Sequence, residues 1–355
     1  MSRSVAFLFL TSVIISLIGI FILYESSTYT ALLSIGDKYY FVKNQVVWFV
    51  LGVVLCLIVS KVNYRNYYKI ALPLLLGSLL TLVLVFVPGL GLELKGANRW
   101  INLGFIVVQP SEILKITLTI YLAAWLSGKE KGRLIAFLML VLLSVILVVI
   151  EPDLGTAFII AATAAIVYFL SGAPIRDMIL ILLLMSAGIF GLIKAAPYRL
   201  QRLLAFQNFD PNNLPEAPYH IKQILIAFGS GGLAGLGFGN SIQKYAYLPE
   251  STTDSIFAIF AEEAGFIGAT LLIGGFVALL VAGFYISQNT KDAFGKLLSA
   301  GIISFISIQA FVNLASQVIL APLTGVPLPY VSYGGSSLVI NFIAIGILMN
   351  IAQDK

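Results

Sequence analysis

The sequence predicts an all-α polytopic membrane protein: ten transmembrane helices in a single integral membrane domain over residues 1–355, with a large extracytoplasmic loop, about 194–254, between helices 7 and 8. Three observations carry that prediction. Hydrophobic residues make up 59% of the chain and charged residues only 10%, whereas about a quarter of a soluble domain is charged. The apolar residues gather into runs long enough, some with their flanks, to cross about 30 Å of hydrocarbon. The lysines and arginines collect on one side of those runs.

Val5 to Leu23, with Arg3 ahead of it, exceeds the apolar core of a signal peptide and lacks an A-x-A cleavage site, so it reads as a retained first span. Gln45 to Ser60, Ile70 to Val87, Glu112 to Leu126, Leu134 to Ile150 and Leu154 to Leu170 follow. Met178 to Ile193, Ile256 to Ile286, Leu297 to Leu320 and Ser336 to Ile351 complete the ten. An even number puts both termini on one side. That side holds eleven basic residues (Arg3, Lys61, Arg65, Lys69, Lys129, Lys131, Arg133, Arg176, Lys291, Lys296 and Lys355), and the short loops opposite hold four (Lys38, Lys43, Lys95 and Arg99). The termini are therefore expected to be cytoplasmic. The net charge of +5 is thus a topology signal, and no nucleic-acid partner is expected.

The acids Glu25, Asp37, Glu93, Glu151, Asp153, Asp210, Glu216, Glu250 and Asp254 fall opposite the termini, so chemistry is expected on that outer side. The long loop there is too large for a mere connector. Within it, Tyr219 to Phe228 is amphipathic enough to lie at the membrane interface, and Gly229-Ser230-Gly231-Gly232 permits a tight turn or close packing. The single cysteine, Cys56, excludes an intramolecular disulfide and a CxxC redox motif, and the single histidine, His220, excludes multi-histidine metal sites.

Leu248 to Gly265 crowds carboxylates and hydroxyls at the mouth of an apolar helix. Ser251 with Asp254 matches a capping box, which would make Asp254 a structural acid at the third helical position. The same helix would align Asp254 with Ala258, Ala261 and Gly265 in a small-residue stripe, with Glu262 on its flank. Ile256 to Ile286, as one continuous helix of about 46 Å, overshoots the hydrocarbon, which leaves Asp254 above it unless Gly274-Gly275 bends or tilts the helix.

Three other constellations carry polar groups. Gly96-Ala97-Asn98-Arg99-Trp100-Ile101-Asn102-Leu103-Gly104 precedes Gln109-Pro110-Ser111-Glu112, and Lys115 follows three residues after Glu112 on the same helix face. The pair reads either as mutual neutralisation or as the wall of an outward-facing cavity with Arg99 and Trp100 at its rim. Glu151-Pro152-Asp153-Leu154-Gly155-Thr156 is a short outer turn in which Asp153 can cap the next helix. Thr324 to Ser337, rich in Pro and Gly, is a non-helical re-entry into the last span, of the kind that lines a cavity or packs in protein.

Taken together and in order, these segments resemble the SEDS family (shape, elongation, division and sporulation), the FtsW/RodA group of peptidoglycan polymerases. The resemblance runs from the first span to the last and includes Tyr219-His220-Ile221 and Pro329 to Ser337. It implies a ten-helix enzyme that polymerises lipid II, the lipid-diphosphate-linked disaccharide pentapeptide, on the outer face of the membrane beside a class B penicillin-binding transpeptidase. It implies that Asp254 is the catalytic acid/base. Arg99, Trp100, Glu112 and Lys115 match family positions near the cavity, and Arg199, Arg202, Glu262 and Ser332 join them as candidate substrate-binding residues. The chain departs from the family at Thr252, where a histidine is usual, at Ser255, where phenylalanine is usual, and at Glu151, where glutamine is common. The sequence assigns no cofactor and leaves a divalent-cation requirement open. It is also compatible with two other classes, a lipid flippase or transporter and a non-catalytic scaffold for a transpeptidase. Gly239 to Tyr245 looks like division-type members and Gly325 to Pro329 like elongation-type members, with a slight lean to division.

Overall fold

The structure, a computed structural model, describes residues 3–94, 96–102, 104, 106–128, 132–207 and 218–354. Lys95, Leu103, Lys129, Lys131, Asp210, Glu216 and Lys355, used in the sequence reading, lie outside the described residues. Every predicted apolar run falls on a helix. In chain order these are α1 (Arg3–Ile35), α2 (Tyr40–Val59), α3 (Arg65–Leu84), α4 (Pro110–Leu126), α5 (Leu134–Ile150), α6 (Leu154–Leu170), α7 (Ile175–Lys194), α8 (Pro197–Gln207), α9 (Tyr219–Gly231), α10 (Ile256–Asn289), α11 (Ala293–Gln317) and α12 (Gly335–Ile351). Six of them (α1, α2, α3, α7, α10 and α11) are long and apolar enough to cross a membrane by length and composition.

The all-α expectation needs one correction. Between α3 and α4 the chain forms a three-stranded antiparallel sheet, β1 (Gly91–Leu94), β2 (Ala97–Asn102) and β3 (Val107–Val108), in the order β1-β2-β3. Leu92 pairs with Trp100 and Ile101 with Val108. Local signals explain several helix starts: Pro110 opens α4, where its missing N–H costs nothing. Asp153 caps α6 by accepting from Thr156 N at 3.0 Å, as the sequence suggests, and Asp292 caps α11 by accepting from Gly295 N at 2.8 Å.

The centre of the bundle is α4 and α11, each buried on most of its faces and packed against the other and against α6. Around them α3 packs on α4, α2 on α12, and α1 on α10, while α7 sits outermost with only Asp177 and Ile181 buried. Small residues let these helices approach: a Cβ on Gly346 of α12 would lie 2.6 Å from the Cys56 carbonyl of α2.

The bend in α10 is not at Gly274-Gly275. It is a break at Gly265, whose φ of 66° and ψ of −169° only glycine adopts readily. Breaking a helix orphans carbonyls on one side and amides on the other. Here the turn after α9 satisfies both: Leu236 N and Gly237 N donate to the carbonyls of Glu262 and Glu263 at 3.0 Å each. In return, Phe266 N and Ile267 N donate to Gly232 O and Leu233 O at 2.9 and 3.2 Å. The glycines following α9 therefore serve close packing: a Cβ on Gly235 would lie 2.0 Å from the Glu263 carbonyl. The helix α9, whose sequence is amphipathic, buries Ile224 and Ala227 against Ala258 and Ile259 of α10.

Candidate active site

The segment before α10 is a compact turn organised on Glu250. Its carbonyl accepts from Thr253 N and Ser255 N at 3.1 Å each, and its carboxylate accepts from Thr253 Oγ1 at 2.9 Å. The turn ends the capping-box reading, because α10 starts at Ile256 with Ser255 as its N-cap and no side-chain cap bond. Asp254 therefore precedes the helix, and neither the cap nor the predicted stripe includes it. The reason is local: Glu250, with φ of 53°, draws the amides of Thr253 and Ser255 onto one carbonyl and delays helical geometry.

Three consecutive carbonyls of this turn are then held by three separate donors. Tyr333 N donates to Thr252 O at 3.0 Å, Ser332 Oγ to Thr253 O at 2.6 Å, and Asn313 Nδ2 to Asp254 O at 2.9 Å. Asn313 also donates to Val326 O at 2.8 Å, so α11 clamps the turn and the Pro/Gly-rich segment together. A Cβ on Gly325 would sit 3.5 Å from Asp254 Oδ2. The backbone of Asp254 is thus fixed by α11 and by the approach to α12.

Asp254 lines a cavity of about 2520 Å³. Its polar part includes Arg99, Trp100, Glu112, Asp153, His220 and Glu250. Its apolar part is built from α5, α6 and α7, with Val141, Val145, Phe158, Leu184 and Met185 among the lining residues. Strand β2 carries Arg99 and Trp100 to this wall. The Arg99 guanidinium also ties the sheet to the α5–α6 turn, its Nε donating to Glu151 O at 2.9 Å and its Nη2 to Pro152 O at 2.5 Å. In that turn Glu151 is fully buried. Burial first, and the neighbouring Asp153 carboxylate second, push the Glu151 carboxyl up to about 8 against the pull of Arg99.

Glu112 reaches the cavity wall, and Lys115 lies behind it. The Lys115 Nζ sits 2.9 and 2.8 Å from the two Glu112 carboxylate oxygens and donates to Gln309 Oε1 at 2.5 Å. Two other candidates are withdrawn from the lining. Ser332 is buried, its hydroxyl donating to Thr253 O and accepting from Leu328 N at 2.8 Å, so it supports the turn from behind. Glu262 is fully buried and anchors residues 241–243: it accepts from Ser241 Oγ, Ile242 N at 3.2 Å and Gln243 N at 3.3 Å, and from Ser230 Oγ at 3.3 Å. The long loop, not the cavity, claims its lone pairs. Arg199 and Arg202 lie on α8, and their side chains are outside the described residues.

Sequence reasoning missed Asn313, Glu250 and the 2.8 Å hydrogen bond between His220 Nε2 and Ser255 Oγ. Asn313 gave no signal, being one of several polar residues along α11 and 59 positions from its partner. It also missed Lys244, which bridges Glu25 of α1 at 2.9 Å and Glu263 of α10 at 3.3 Å. Burial would lower the Lys244 ammonium, but its bonds and charge contacts with Glu25 and Glu263 hold it above the usual lysine range. Among the described residues, no group of three or more His, Cys, Asp or Glu side chains is gathered for a metal ion.

Comparison with known proteins places this architecture. The family described as cell cycle protein, covering FtsW, RodA and SpoVE, matches residues 5–355. The stage V sporulation protein E of Bacillus subtilis is 36% identical over 95% of this chain and 93% of its own. A probable peptidoglycan glycosyltransferase FtsW of Geobacter sulfurreducens is 38% identical over 97% of this chain and 93% of its own. Among solved structures, the rod shape determining protein RodA of Thermus thermophilus superposes with a TM-score of 0.72 at 28% identity, covering 98% of this chain and 96% of its own. A chain solved for the structural coordination of polymerization and crosslinking by a peptidoglycan synthase complex gives a TM-score of 0.78 at 27% identity, covering 98% and 97%.

Proposed function

We propose, from the premise that this chain belongs to the cell cycle protein family of FtsW, RodA and SpoVE, that it is a peptidoglycan glycosyltransferase polymerising lipid II on the outer face of the cytoplasmic membrane. One observation carries the reading: a single cavity joins Asp254 and Arg99 to an apolar wall made by α5, α6 and α7. A lipid-linked sugar diphosphate needs that division, with its chain against apolar side chains and its head among polar ones. The volume agrees, since small-molecule sites are about 300–1,000 Å³ and this one is about 2520 Å³.

The chemistry follows from the leaving group. A lipid diphosphate departs as a stable anion and needs cationic stabilisation but no proton, so the paired carboxylates of a glycoside hydrolase are unnecessary. Asp254 takes the proton from the acceptor's sugar 4-hydroxyl as that oxygen attacks the anomeric carbon. The bond to the diphosphate oxygen breaks on the opposite face, giving inversion. Arg99 meets the diphosphate, with Arg199 and Arg202 of the long loop as further cations, while Lys115 neutralises the Glu112 carboxylate that would otherwise repel it. Trp100 packs on the head group at the rim.

We read all ten apolar runs as spans, including the 17-residue helices α4, α5, α6 and α12, which reach about 26 Å before their flanks are added. The Lys/Arg bias supports cytoplasmic termini and an outer active site. Gly239 to Tyr245 favours a division-type role and Gly325 to Pro329 an elongation-type one, and the reading leans slightly to division. The peptidoglycan synthase complex supports a class B penicillin-binding protein as partner.

The test is polymerisation of lipid II by purified protein in detergent. Asp254→Asn should lose about 10²-fold or more in rate at unchanged expression. Undiminished glycan synthesis would remove Asp254 from the mechanism. A flippase, which needs two compartments, would make no glycan in detergent at all.

A further inference from the structure

The long loop carries charges before and after, yet none falls between Gly229 and Gln243. Within that stretch three apolar side chains face outward: Leu233 is 73% exposed, Leu236 38% and Phe238 56%. They adjoin Phe266 and Ile267 on the outer surface of α10, themselves 65% and 59% exposed. The patch is therefore continuous with the apolar outer face of a membrane-spanning helix, and an exposed apolar area of this kind marks a contact surface.

Two helices measure how high the patch sits. Phe238 packs edge-on against Phe21 of α1, ring centroids 5.1 Å apart, and Phe21 lies about 24 Å along α1 from Val5, where its apolar run begins. Leu233 O accepts from Ile267 N at 3.2 Å, and Ile267 lies about 28 Å along α10 from Ile286, where that apolar run ends. Both heights fall inside a hydrocarbon layer of about 30 Å, and helix tilt only brings them deeper. Charge begins just above. Lys244 pairs with Glu25 and Glu263 and is turned inward, its side chain 9% exposed. Near Glu25, Tyr24 stacks on Tyr39 and Tyr29 meets Tyr245, an arrangement suited to the aromatic belt of a membrane interface.

Backbone in lipid must find its partners within the protein. Gly235 N donates to Gly231 O at 2.8 Å, and Leu236 N and Gly237 N donate to the carbonyls at the α10 break. Asn240 closes the turn, its N donating to Gly237 O at 3.2 Å and its Nδ2 to Leu236 O at 3.0 Å. A loop in water has no need of this pairing, since water would serve.

We propose that residues 233–238 of the long loop dip into the leaflet on the active-site side and contact its acyl chains through Leu233, Leu236 and Phe238, with the Lys244–Glu25–Glu263 cluster marking the level of the headgroups. The loop is then part membrane anchor, and its anchored stretch is hydrogen-bonded to the α10 break, one short helical segment beyond Asp254. This surface holds whether or not the cavity polymerises lipid II.

The test places the purified wild-type chain in nanodiscs of phosphatidylethanolamine and phosphatidylglycerol doped with a phospholipid that carries a photoreactive diazirine in its acyl chain. After illumination, peptide mapping should find lipid on residues 233–238, as on the face of α10 that bears the exposed Leu271, and none at the exposed Lys38 between α1 and α2. Nitroxide labels on Leu236→Cys and Phe238→Cys, in a Cys56→Ala background, should collide with oxygen in preference to a water-soluble nickel chelate. Their depth should read about 5–10 Å into the headgroup–acyl boundary. If those variants fail to fold, the wild-type crosslink decides. Acyl-chain label confined to the spans, or nickel collisions at 236 and 238 equal to those at a Lys38→Cys label, would overturn the proposal. A patch reserved for another protein gives that same negative result, because the purified chain has no partner to cover it.

Discussion

Glu151 sits where the chain turns between α5 and α6, fully buried, and among the described residues neither of its carboxylate oxygens accepts a hydrogen bond. Burial makes the neutral form the cheaper one there, which is why the carboxyl is pushed from an ordinary 4.5 up to about 8. The folded protein then holds a proton that the unfolded chain releases, so the contribution of Glu151 to stability is greatest below about 4.5, falls as pH rises toward about 8, and is level above. Glu151→Gln keeps the shape and removes the titration. Its thermal stability in detergent should draw ahead of the wild type across that window, by at most about 1.4 kcal/mol per pH unit. An equal difference at pH 5 and pH 9, two probe conditions on the order of the window's limits, would show that the carboxyl ionises freely in the fold. Asp254 teaches the complementary lesson. Its sequence neighbourhood read as a helix cap, and only the turn on Glu250 released it to the cavity wall.

The helix α10 and the turn after α9 are one unit, since each supplies the hydrogen bonds that the other's break leaves open. That coupling places glycine where a side chain has no room. Gly235 combines φ of 81° with a Cβ position 2.0 Å from the Glu263 carbonyl, so Gly235→Ala should cost about 2–4 kcal/mol and expose the long loop to limited proteolysis. Gly274, with open space around its Cβ position and a place inside α10, is the contrast: Gly274→Ala should be neutral or stabilise by about 0.5–1 kcal/mol. If both substitutions behave alike in thermal unfolding, the docking of the two breaks is not what holds this unit. A glycine pair inside an apolar run signals a bend by composition alone. The actual break at Gly265 depends on a partner turn some thirty residues earlier, which no local pattern announces.

Across the whole molecule, the polar groups inside the bundle hold α4 and α11 together and aim their loops at the cavity. Lys115 of α4 reaches both Glu112 and Gln309 of α11, and Gln309 Nε2 continues to Pro327 O at 3.0 Å. Removing one charge leaves the other buried without compensation, so Lys115→Met should destabilise by about 3–5 kcal/mol. The double variant Glu112→Gln with Lys115→Met should recover most of that loss in thermal unfolding. If the double is as unstable as the single, the pair is not the source of the cost. Hydropathy and helix spacing were enough to find the helices under the apolar runs, the Glu112–Lys115 pair and the Asp153 cap, because each arises from residues near one another in the chain. The sheet bearing Arg99, the withdrawal of Glu262 and Ser332 from the cavity, the Asn313 clamp and the His220–Ser255 bond required the folded chain. Each of these is settled by hydrogen-bond partners distant in sequence, and in an apolar bundle a buried polar group takes whichever partner the packing brings within reach.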